Sequence, residues 1–63
     1  MERLIILSVH NLLKGIECTI TETSTSLKIQ LQYGKAILRL FCKKHGIKLY
    51  SDVFEKDTYI IVF

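Results

Sequence analysis

Apolar and polar positions along this chain change period several times, and the changes mark out its elements. Over residues 2–14, Ile5, Ile6, Val9, Leu12 and Leu13 fall within one broad arc of a helical wheel, and Arg3, His10, Asn11 and Lys14 fall opposite. That spacing predicts a helix. Glu2 in its first turn and Lys14 in its last suit the helix dipole. Gly15 then stands where helices commonly end, with Ile16 as the apolar residue of a Schellman ending. Leu4 and Leu7 lie outside the stripe, and a strand over residues 3–9 is the competing reading of so short an apolar run.

Residues 16–22 and 26–32 alternate instead. Ile16, Cys18 and Ile20 oppose Glu17, Thr19 and Thr21; Leu27, Ile29 and Leu31 oppose Lys28, Gln30 and Gln32. This is the pattern of two half-buried strands, and Thr23-Ser24-Thr25-Ser26 suits the hairpin between them. No Asn-Gly pair is present, so the turn type is left open. Gly34 breaks the alternation. A second helix is expected at about 35–45, with Ala36, Ile37, Leu38, Leu40 and Phe41 as its apolar arc and Lys35, Arg39 and Lys43 on the other face. Gly46 and Ile47 repeat the ending of the first helix. Residues 47–54 and 58–63 read as two further strands around a polar turn at residues 55–57.

The predicted fold is therefore α+β, one domain over residues 1–63, ordered α-β-β-α-β-β. An antiparallel sheet with both helices packed on one face is the simplest way to bury both apolar stripes. The expected core is Ile5, Val9, Leu12, Leu13, Ile20, Ile29, Leu31, Ile37, Leu40, Phe41, Leu49 and Ile61.

Length sharpens this picture. A chain of 63 residues buries only about 60% of the surface its unfolded form exposes, so the core is marginal. Small domains make up the difference with disulfides, a metal or a partner subunit. The composition, 49% hydrophobic and 24% charged, is that of a globular protein. No apolar run approaches the roughly 20 residues of a membrane span, and the N-terminus lacks the long apolar stretch of a signal peptide. The expected location is the cytoplasm, with Cys18 and Cys42 as reduced thiols.

Net charge is +3, and its distribution says more than its size. No acid occurs between Glu22 and Asp52, a stretch holding Lys28, Lys35, Arg39, Lys43, Lys44 and Lys48. On a helix, Lys35, Arg39 and Lys43 make a row of cations spaced about 6 Å apart, one per turn. Such a row attracts phosphates by Coulomb energy and counterion release. Lys28, Lys35, Arg39, Lys43 and Lys48 are thus the candidate nucleic-acid contacts, against the alternative of an ordinary solvated face. No nucleotide-binding loop, zinc knuckle or RNA-binding signature is present.

Other chemistry finds less support. His10, Cys18, Cys42 and His45 have the right count for structural zinc, but they lack a paired knuckle spacing, so neither metal nor cofactor is predicted. Cys42 and His45 lack a third orienting group for nucleophilic catalysis. The acids Asp52, Glu55 and Asp57 read as a surface turn. The protein is expected not to be an enzyme. The C-terminal strand offers a second binding hypothesis. Tyr59, Ile60, Ile61, Val62 and Phe63 carry no charge and no proline. At a sheet edge they would template pairing with another chain, making Tyr59, Ile61 and Phe63 a partner interface; the alternative is a central strand buried on both faces. Two readings follow: a small regulatory protein contacting nucleic-acid phosphates, or a protein-interaction module, expected to be homo-oligomeric. The latter would work through that strand or through the basic face against an acidic partner.

Overall fold

The protein's computed structural model describes residues 2–63. The side chain of Glu2, and with it the expected favourable contact with the helix dipole, lies outside the described residues. The elements follow the order the periodicities predict: α1 (Glu2–Leu12), β1 (Cys18–Glu22), β2 (Ser26–Leu31), α2 (Lys35–Lys44), β3 (Leu49–Ser51) and β4 (Thr58–Val62). The strands form one sheet in the order β1-β2-β4-β3, antiparallel throughout.

Register decides which residues share a face. Leu27 lies opposite Ile61 and Ile29 opposite Tyr59. Cys18 meets Leu31, Ile20 meets Ile29, and Leu49 meets Ile61. On this face Leu27, Ile29, Leu31, Tyr59 and Ile61 are buried in one cluster with Ile6, Val9 and Leu13 of α1 and Leu38 and Cys42 of α2. Both helices therefore cover the same side. The opposite face carries Thr19, Thr21, Lys28, Gln30, Tyr50, Ile60 and Val62.

Local chemistry explains the boundaries. Between β1 and β2, Thr23 replaces the missing turn signal with its hydroxyl. Its Oγ1 accepts from the Ser26 N–H at 2.9 Å, while the Thr23 N–H donates to the Ser26 carbonyl at 2.9 Å. Past α2, the Gly46 N–H bonds the Lys43 carbonyl and the Ile47 N–H bonds the Cys42 carbonyl, which is the expected Schellman pair. The end of α1 differs. Lys14 N–H bonds Asn11 and Ile16 N–H bonds Leu13, so the last turn tightens and the helix stops at Leu12 rather than residue 14. Gly34 opens α2 at φ 86°, and a Cβ placed there would lie 2.9 Å from Ile16 Cδ1. Glycine is required here both by backbone conformation and by space.

Three expectations are corrected. First, β3 ends at Ser51, not residue 54. The Asp52 carboxylate accepts from the backbone N–H of Phe54 (2.8 Å) and of Glu55 (3.2 Å), a side-chain turn that competes with the ladder. Phe54, read as a strand residue, is 94% exposed. Second, Ile37 and Leu40 are not core residues. They are 45% and 67% exposed, while Leu38 and Cys42 are buried in their place. The core-facing stripe of α2 is the i, i+4 pair Leu38 and Cys42 with half-buried Phe41 beside it. Ile5, Leu12, Ile20 and Leu49 are likewise only half-buried, packed around the cluster. Third, of the two placements left open for β4, the edge falls away. It is bonded to β2 on one side and β3 on the other, and Tyr59 and Ile61 are buried beneath the helices. Phe63 packs against the core, and its N–H bonds the Thr25 carbonyl at 3.0 Å. The proposed partner interface at Tyr59, Ile61 and Phe63 therefore has no free strand edge to offer.

Candidate interaction surface

The five cations singled out in the sequence do not stay together. Lys28 stands on the open face of β2, away from the helices. Its Nζ donates to Glu55 Oε1 at 2.6 Å, and this bond holds its pKa above the usual lysine value. Lys35 begins α2 and donates to Asp57 Oδ1, which raises its pKa in the same way. The acids of the β3–β4 turn, remote in sequence, thus fold onto two members of the basic block. Asp57 manages this from a left-handed backbone at φ 59°, a conformation aspartate tolerates better than most residues.

Arg39 lies one turn beyond Lys35. Its guanidinium carbon sits 5.7 Å from the Tyr59 ring centroid, and Nη2 donates to the Tyr59 hydroxyl at 3.3 Å. Lys35 and Arg39 therefore flank the buried stripe and turn their charged heads to Asp57 and Tyr59 rather than outward. This is why the apolar arc counted from the sequence points to the wrong side. The outward face of α2 is built from Ala36, Leu40, Lys43 and Lys44, with Ile37 beside them. Among the described residues no carboxylate pairs with Arg39, Lys43, Lys44 or Lys48. The helix C-terminus, where backbone carbonyls carry partial negative charge, suits Lys43 and Lys44. Lys44 shares this face with Leu40 and Lys43, outside the one-per-turn row of Lys35, Arg39 and Lys43 counted from the sequence.

The remaining candidates are scattered. His10 and His45 are exposed, Cys18 is half-buried and Cys42 is buried. His45 packs on Phe41 with the rings tilted at 49° and 4.6 Å between their centroids. Burial pushes the Cys42 thiol up, the wrong direction for a nucleophile. Among the described residues no three His, Cys, Asp or Glu side chains gather at a metal-holding distance. A groove of about 230 Å³ runs between the helices, lined by Leu4, Ile5, Ser8, Phe41, His45 and Ile47. A recess of about 290 Å³ beside the start of β1 holds Glu17, Gln30, Tyr33 and the ion-paired Asp57. No helix among the described residues is long and apolar enough to cross a membrane. Comparison with protein-family models, curated proteins and solved structures finds no match for this chain.

Proposed function

We propose that this is a non-enzymatic binding protein whose working surface is the outward face of α2 and whose partner is an acidic protein surface. The observation that carries this reading is Leu40. A leucine 67% exposed in the middle of a helix, with Lys43 and Lys44 one turn on, is an apolar anchor beside a pair of cations. Protein interfaces have this anatomy: an apolar centre that excludes water, and a charged rim that steers the partner and sets register. Arg39, whose guanidinium is turned to Tyr59, stands beside this patch rather than within it. Unpaired thiols at Cys18 and Cys42 suit a reducing compartment such as the cytoplasm.

A second reading, contact with nucleic-acid phosphates, uses the same cations. It is favoured by Arg39 and Lys43, one turn apart and free of carboxylates among the described residues. It gains nothing from Leu40, and Lys28 and Lys35 contribute less because each already serves a carboxylate. The two separate in one experiment. A synthetic amphipathic peptide of leucine and glutamate and a labelled mixed-sequence duplex are titrated against the wild type, Leu40→Ser and Lys43→Glu/Lys44→Glu. Peptide binding lost in both variants supports the protein reading. Duplex binding that falls steeply with salt, fails in the double variant and survives Leu40→Ser supports the phosphate reading. Binding of neither probe at low salt by the folded wild type sinks both.

A further inference from the structure

We propose that the chain pairs with a second copy of itself along the free edge of β1, forming a symmetric dimer with one continuous eight-stranded sheet. This inference does not rest on the reading of α2, which lies on a different surface.

The hydrogen-bond phase of the hairpin shows what β1 presents. The Thr23 N–H bonds the Ser26 carbonyl, which makes Glu22 and Leu27 a non-hydrogen-bonded pair. Alternation then directs the N–H and C=O of Thr19 and Thr21 toward β2, and those of Cys18, Ile20 and Glu22 outward. Among the described residues nothing bonds these outward groups. The two edges of the sheet are not alike. β3 is only three residues long, is preceded by Lys48, and is stopped by the Asp52 turn. These are ordinary ways of blunting an edge. β1 is longer and less interrupted. It runs five residues, Cys18 to Glu22, with no proline, no lysine and an unbroken register, and its one charge, Glu22, stands at its end, 3.8 Å from Arg3 of α1.

The edge is also complementary to itself. In an antiparallel pairing with the two-fold axis at Ile20, Ile20 meets Ile20 of the second copy, Cys18 meets Glu22, and Thr19 meets Thr21. Every outward N–H and C=O of the three residues then finds its complement. Thr–Thr and aliphatic cross-strand pairs are favourable ones. An axis at Glu22 would instead set two carboxylates face to face, and one at Cys18 would leave Glu22 unpaired. Ile20, half-buried at the margin of the core, would gain cover. A marginal small core gains stability by such association. The axis stands perpendicular to the sheet, so the helices of both copies lie on the same side and two α2 faces point the same way.

The test combines mass in solution with amide exchange. At rising concentration the wild type is expected to approach twice 7.3 kDa. The Ile20 amide should gain protection in step, while the Thr19 amide is protected throughout. Thr19→Lys/Thr21→Lys alters two exposed side chains whose backbone bonds to β2 are kept, and sets lysines opposite lysines across the axis. It should stay at 7.3 kDa with an unchanged far-ultraviolet spectrum. Thr19→Lys/Thr21→Glu sets opposite charges across the same axis and should dimerise again. A wild type that remains at 7.3 kDa overturns the proposal. So does a dimer indifferent to the double lysine, and so does a lysine–glutamate variant that stays monomeric. Each of these results leaves the α2 reading standing, because neither variant touches that face.

Discussion

Leu38 and Leu40 sit two residues apart on α2, and their energetics differ completely. Leu38 is 0% exposed and 67% of Leu40 faces solvent. Leu38→Ala removes packed methyl groups and leaves a cavity, at a cost of about 2–5 kcal/mol. Leu40→Ser lies on the surface and is expected to change stability by no more than about 0.5 kcal/mol. Denaturant unfolding of the two variants checks both figures, and a large loss in Leu40→Ser would put it back in the core. The thiols give a parallel contrast. Cys42 is buried with its thiol pKa raised, whereas Cys18 is half-buried on an edge strand. Iodoacetamide is expected to modify Cys18 in the folded protein and Cys42 only after unfolding, as mass spectrometry of the digested protein would show. At this scale the sequence was partly legible. Val9, Leu13, Ile29, Leu31 and Ile61 are buried as their periodicity predicts. Ile37 and Leu40 are not, because five apolar residues on a ten-residue helix span too wide an arc to say which part of it turns inward.

At the scale of elements, local signals were more dependable where they rested on backbone chemistry. Gly46 and Ile47 terminate α2 with the bonds the Gly-Ile pair implies, and Gly34 stands at the break between β2 and α2. Gly34→Ala would force a left-handed alanine and press its Cβ onto Ile16. The expected loss is at least about 1–2 kcal/mol, measurable by thermal unfolding. The β3–β4 turn was misread because a single acceptor, Asp52, took two backbone donors from residues that otherwise look like strand formers. That turn also sets the alkaline behaviour of the fold. The hydrogen bond to Asp57 raises the Lys35 pKa above its ordinary 10.5. The pair thus stabilises the fold fully below pH 10.5, and its contribution disappears as pH rises through the higher folded value. Asp57→Asn keeps a residue that tolerates the left-handed backbone and removes the charge. The wild type should therefore lose more stability than Asp57→Asn between pH 9 and 12, and equal losses in pH-dependent unfolding would show that the pair contributes nothing.

For the whole molecule, what the linear sequence hides is which charges meet. A block without acids over residues 23–51 looks like one basic surface. Folding divides it, since Lys28 faces away from the helices toward Glu55 and Lys35 turns to Asp57. Strand order was equally out of reach. Nothing in an apolar C-terminal segment says whether it lies at an edge or between two neighbours, and the register with β2 and β3 decides it. The result is a sheet covered on one face, with an asymmetric pair of edges, and a helix whose outward face mixes Leu40 with lysines that no carboxylate pairs among the described residues.

That outward face is the claim most exposed to test. The most direct measurement is a map of amide chemical shifts in the isotope-labelled protein as the leucine–glutamate peptide is added. The account predicts that the largest shifts cluster at Leu40, Lys43 and Lys44, and that they vanish in Leu40→Ser. Shifts gathered instead on the open sheet face around Tyr50, Ile60 and Val62, or no shifts at all, would contradict it.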